Sequence, residues 1–131
     1  MASTRPRPLS PHLTIWRWGP AMAVSILHRA TGVALSLAGL AILAWWLMAL
    51  SGGAGTYATF ARAAHHPIGI IILVGLTWSF FQHLLSGVRH LVTDSGAAFE
   101  LGINKSSAIL TVVGSIILTV LLWAWFLGYV K

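Results

Sequence analysis

The sequence predicts an all-α integral membrane protein that crosses the bilayer three times and keeps its N-terminus cytoplasmic. Of its 131 residues, 57% are hydrophobic and only 8% are charged, against roughly 25% charged in an ordinary soluble domain. The charges leave three uncharged windows, Ala30 to Ala61, Ala63 to Val88 and Ser106 to Val130. A hydrocarbon core of about 30 Å takes about 20 residues at about 1.5 Å rise each, so every window is long enough to cross it. With three crossings, Arg5, Arg7, Arg17, Arg29, Arg89 and Lys105 fall on one side of the membrane and only Arg62 and Lys131 on the other. The side richer in Lys and Arg is the cytoplasmic one.

The elements follow in order as one membrane domain over residues 1–131. Residues 1–19 carry Pro6, Pro8 and Pro11, which rule out a regular helix and predict an extended segment at the membrane surface, with Trp16 and Trp18 as headgroup-level anchors. Pro20 suits a first helical turn, and span one runs over about 20–50, to the stop Ser51-Gly52-Gly53-Ala54-Gly55. A short connection with Tyr57, Phe60 and Arg62 leads to Pro67, a second N-terminal proline. Span two runs over about 67–90 before Asp94-Ser95-Gly96 breaks it. Span three covers about 106–130 and ends in Trp123, Trp125 and Tyr129, an aromatic belt followed by Lys131.

Composition also excludes. A formal charge of +6 spread over separate segments makes no basic stripe, so nucleic acid is not a partner. Without cysteine there is no disulfide, thiolate metal site or iron–sulfur ligation in this chain. A redox centre here must use histidine or belong to a partner. No apolar run precedes Pro20, so a cleavable secretory signal is not expected.

Polar groups cluster at the same end of two spans. Ser25, His28, Arg29 and Gly32 share a face at the start of span one, and His83, Gly87, His90 and Asp94 share one at the end of span two. His83 is the deep member, roughly 9 Å further into the membrane than Arg89. It also belongs to a stripe, Gly75, Ser79, His83 and Gly87, at a spacing of four, a close-packing surface for another helix or a flat cofactor. Two roles fit His83: a ligand to haem iron, or a histidine hydrogen-bonded to a neighbouring helix. No second histidine stands at a suitable depth, since His28 is expected near the membrane edge and His65 and His66 at the opposite end. A six-coordinate haem would therefore draw its second ligand from another polypeptide. Arg29 suits either a positive-inside anchor or a partner for an anion such as a haem propionate or a reduced quinone oxygen. Ser25 is either a quinone hydrogen-bond donor or a serine bonded back to its own helix. His90 and Asp94 form either a proton relay or a solvated helix end.

Arg7-Pro8-Leu9-Ser10-Pro11-His12-Leu13, Ser25-Ile26-Leu27-His28-Arg29-Ala30-Thr31-Gly32, and His83-Leu84-Leu85-Ser86-Gly87-Val88-Arg89-His90 with Asp94 closely resemble the cytochrome b membrane-anchor subunits of succinate dehydrogenase, the succinate:quinone oxidoreductase of respiratory complex II. The three motifs, in order, cover nearly the whole chain. The resemblance implies a four-subunit complex with a flavoprotein, an iron–sulfur subunit and a second membrane-anchor subunit that completes the helical bundle. It implies haem b shared between the anchors, with His83 as axial ligand and His28 and Arg29 near the propionates. It further implies that Ser25 and Arg29 bind ubiquinone or menaquinone, that His90 and Asp94 lie on the proton path, and that the segment Arg7 to Leu13 meets the iron–sulfur subunit.

Nothing in the chain resembles a flavin or dicarboxylate site, so the expected share of the reaction is its quinone end. Two other readings compete: a purely structural anchor without haem, and the di-haem anchor of a fumarate reductase, which would need more histidines inside its spans. The expected location is the bacterial inner membrane rather than the mitochondrial one, because no Arg-rich, Ser-rich leader precedes the first motif.

Overall fold

The computed structural model describes His12 and residues 16–129. Expectations for the N-terminal extended segment, for the Arg7 to Leu13 contact other than His12, and for Lys131 lie outside the described residues. Gly19 is extended and Pro20 opens α1 (Pro20–Ala34) at its first turn, where a missing N–H costs nothing. One π-helical turn, Leu35–Gly39, joins α1 to α2 (Leu40–Ser51), so that Pro20–Ser51 forms one apolar span. Gly53, at φ 87°, turns the chain in a backbone region that costs other residues strain.

The connection expected between spans one and two is itself a helix, α3 (Ala54–His65). Its alanines favour helix, and its aromatic side gains a surface to cover, with Phe60 packing edge-on to Trp45 of α2 at 5.1 Å. His66 ends it in an extended conformation, as a residue before proline must. The His66 ring accepts a hydrogen bond from the backbone N–H of Ile68, capping α4 (Pro67–Asp94). At this corner a Cβ on Gly69 would overlap the carbonyl oxygen of Ala63, so only glycine fits. The 28 residues of α4 extend about 42 Å. Gly96, at φ 88°, follows it, and α5 (Leu101–Tyr129) starts about one turn earlier than its uncharged window.

Three helices, Pro20–Ser51, Pro67–Asp94 and Leu101–Gly128, are long and apolar enough to cross a membrane, and the described residues contain no strand. The bundle is polar inside and apolar outside. Among the described residues the buried apolar side chains are Val24, Ala49 and Ala108, whereas Thr31, Ser79, Gln82, Ser86, Thr111, Ser115 and Thr119 are buried polar ones. Leu37, Ile71, Leu91, Leu110 and Leu121 are each at least 60% exposed, and in lipid this exposure costs nothing because the surroundings are as apolar as the side chains. Association then rests on small residues and interhelical hydrogen bonds.

Helix α4 is central, packing on α1 along one side and on α5 along another. The stripe Gly75, Ser79, His83 and Gly87 does not form one surface. A step of four residues advances the helix by about 40° beyond a full turn, and over three steps the stripe winds away. Gly75 faces open space, whereas His83 meets Gly32 and Gly87 approaches His28 on α1. The face toward α5 instead follows steps of three and four: Ser79, Gln82, Ser86 and Arg89 oppose Asn104, Ser107, Thr111, Ser115 and Thr119. Gln82 pairs with Ser115, Arg89 with Ser107 and Asn104, and Trp123 with Thr77.

Candidate functional site

The α1–α4 interface brings three of the expected residues together. The rings of His28 and His83 stack at 3.9 Å with their planes 7° apart. His90 approaches His28 edge-on at 5.1 Å. His28, expected near the membrane edge and not at the depth of His83, has its ring directly against that of His83. Depth counted along the chain leaves out how far each side chain reaches across the α1–α4 contact.

Helix α1 holds His83 in one orientation and one tautomer. Its Nδ1 lies 3.0 Å from the backbone carbonyl oxygen of His28 and 3.3 Å from Thr31 Oγ1. A carbonyl only accepts, so Nδ1 carries the proton and donates it, and Nε2 keeps its lone pair. Thr31 is positioned by its own helix, its hydroxyl lying 2.8 Å from the Leu27 carbonyl and 3.1 Å from that of His28. Gly32 makes room for the ring: a Cβ there would stand 3.0 Å from His83 Cε1. An imidazole with Nδ1–H fixed on a carbonyl and Nε2 open is the arrangement that metal-binding histidines use.

Beside the stack lies an open groove of about 460 Å³, lined by His28, Arg29, Gly32, Val33, Ser36 and His83. The π-helical turn supplies Ser36, and π turns inside α-helices recur at functional sites. Arg29 is exposed at the groove with its guanidinium available to an anion. Ser25 lies one turn before Arg29, half-buried, and Asp94 ends α4, exposed. Neither lines this groove. His65 and His66 lie at the α3–α4 corner, at the far end of α4 from His90.

The sequence reading missed Thr31 as the partner of the His83 ring, although its three-residue spacing from His28 was visible. It also missed the whole α4–α5 face. Arg89 is not simply an anchoring charge: its Nε donates to Ser107 Oγ at 3.1 Å and its terminal nitrogen donates to Asn104 Oδ1.

The family of succinate dehydrogenase/fumarate reductase transmembrane subunits matches residues 3–122. The chain is 40% identical over 115 residues to the succinate dehydrogenase cytochrome b556 subunit of Paracoccus denitrificans, with 88% of each chain covered. It is 44% identical over 117 residues to the b556 subunit of Rickettsia felis, covering 89% of this chain and 90% of that one. Similarity extends to the mitochondrial cytochrome b560 subunit of Sus scrofa, 32% identical over 116 residues, covering 87% and 68% respectively. The match spans α1 to α4 and most of α5, and the chain therefore belongs to the family of succinate dehydrogenase/fumarate reductase transmembrane subunits.

Proposed function

We propose that this chain is the cytochrome b anchor of a bacterial succinate:quinone oxidoreductase, lying in the inner membrane with its histidine end at the cytoplasmic side. The observation that carries the reading is His83, whose Nδ1–H is fixed on the α1 backbone beside an open groove. The residues fit haem b: His83 Nε2 offers a lone pair, Gly32 leaves room, and His28 and Arg29 offer donors to propionate carboxylates. Haem b, when bound, supplies a one-electron redox centre. His83 would hold the haem from this chain, and His28, whose ring is stacked on that of His83, would not add a second ligand. The second ligand is therefore assigned to the second anchor subunit.

Quinone reduction consumes two electrons and two protons and yields quinol. The electrons come from succinate through the flavoprotein and the iron–sulfur subunit. Arg29, with Ser25 one turn away, is assigned to ubiquinone or menaquinone, where a guanidinium stabilises negative charge arriving on a quinone oxygen. His90 and Asp94 at the end of α4 are assigned to proton delivery.

The test is a reduced-minus-oxidised visible spectrum of the complex purified through a tag on this chain, with its co-purifying subunits identified. We expect a b-type band that His83→Ala abolishes while the subunits stay together. An unchanged band in His83→Ala places the ligand elsewhere. A parent complex that oxidises succinate and shows no band is a structural anchor without haem.

A further inference from the structure

Two apolar grooves flank the corner between α3 and α4, at the end of the bundle away from the histidine stack. The first, about 320 Å³, lies between α2, α3 and α4, with Trp45, Phe60 and Ile72 on its walls. The second, about 360 Å³, lies between α3, α4 and α5, with Ile70, Trp123 and Phe126 on its walls. Ala64 and Leu73 line both, so the grooves adjoin on neighbouring sides of α4. His66 lines the first and His65 the second. Trp123 and Trp125 beside the second groove are the residues that collect at headgroup level in a bilayer, which sets this corner at the lipid–water boundary.

The corner is also the cationic part of this end of the molecule. Arg62, His65 and His66 are all exposed there, whereas the two acids of the chain, Asp94 and Glu100, lie at and beyond the opposite end of α4. No carboxylate therefore competes for these donors. His66 Nδ1 accepts from the backbone N–H of Ile68 at 3.3 Å, so Nε2 carries the ring proton and donates. Arg62 places one N–H on Thr59 Oγ1 at 3.4 Å and keeps the rest of its five donors. The frame is fixed, because a Cβ on Gly69 would overlap the Ala63 carbonyl oxygen and the two helices meet there backbone to backbone.

We propose that this corner binds one anionic diacyl phospholipid, with its phosphate on Arg62 and His66 and one acyl chain in each groove. The charge selects the head, since a guanidinium and an imidazole N–H both donate to phosphate oxygens. The pair of grooves selects the body, since a ligand with one tail or one flat ring leaves a groove bare. The site is independent of the histidine groove, which lies toward the other end of α4.

The test uses the complex purified through a tag on this chain and depleted of lipid in detergent. Its melting temperature is followed as dioleoyl phosphatidylglycerol, dioleoyl phosphatidylcholine or single-chain lysophosphatidylglycerol is added, because a ligand that binds the folded state raises it. The diacyl phosphatidylglycerol is expected to act at the lowest concentration of the three. Arg62→Gln is expected to raise that concentration roughly fivefold, the effect of one basic residue beside an anionic headgroup, and to leave the phosphatidylcholine curve unchanged. Equal curves for phosphatidylglycerol and phosphatidylcholine, or for the diacyl and single-chain lipids, overturn the proposal. So does a phosphatidylglycerol preference that survives Arg62→Gln combined with His66→Asn, a substitution that keeps the helix cap. A structure of the complex with a quinone or a partner side chain in the grooves overturns it too.

Discussion

The two sides of α4 use polar residues in opposite ways. Toward α5 the side chains bond to one another: Gln82 to Ser115, and Arg89 to Ser107 and Asn104. Toward α1 the bonds hold one ring from behind, through the His28 carbonyl and Thr31, and leave its other nitrogen open beside a groove. A polar residue inside a membrane is expensive and its presence alone suggests function. This molecule shows that the informative property is what remains unsatisfied and where. A group completed inside the bundle acts as an interhelical fastener, and one oriented from behind and open in front is available to a ligand.

The contrast is open to attack, starting with the largest expected effect. Arg29 faces the groove without a role in packing, so Arg29→Leu is expected to lower succinate:quinone activity at least about tenfold. Succinate oxidation by an artificial dye is expected to stay largely intact. Equal loss of both activities would move Arg29 to assembly. Next, Gly32→Val places a branched side chain where even a Cβ stands 3.0 Å from the His83 ring. The expected outcome is a complex with reduced haem content and normal subunit stoichiometry, read from the visible spectrum and a gel.

On the opposite side the effects should appear in stability and not in the spectrum. Arg89→Leu leaves Asn104 and Ser107 without their donor, and we expect a loss of about 1–3 kcal/mol, measured by thermal or denaturant unfolding of the complex. A shift in the haem band with unchanged stability would instead join Arg89 to the site. The smallest effect is expected for Ser115→Ala, about 0.6 kcal/mol, the average of interhelical hydrogen bonds in a membrane.

The extra helix and the histidine stack show how far the residues speak for themselves. Pro20 and Pro67 were legible as helix starts because a proline ring constrains its own turn and the residue before it, whatever the rest of the chain does. Helix α3 was not legible: it is short, contains Gly55 and follows a glycine-rich stop, and its aromatic face becomes meaningful only when Trp45 lies across from Phe60. The candidate site was half legible. His83, His28 and Arg29 stand out as polar residues in apolar spans, but their mutual positions depend on how α1 crosses α4. The Gly75 to Gly87 stripe failed for a related reason, because regular spacing on one helix does not say which neighbour it meets.

By itself, the sequence determined the three apolar crossings, the proline starts of the first two, the exclusion of thiolate chemistry and the resemblance to its family. These depend on local backbone restraints, on the transfer of side chains into hydrocarbon and on residue identity. Only the tertiary structure decided that His28 lies flat against His83, that its carbonyl fixes the His83 tautomer, and that α4 meets α5 through hydroxyl and amide groups. Each of these depends on rotation and register between helices distant in the chain. Within a membrane those are set by the fit of small residues and by the need to pair every buried polar group, which no single helix can meet alone.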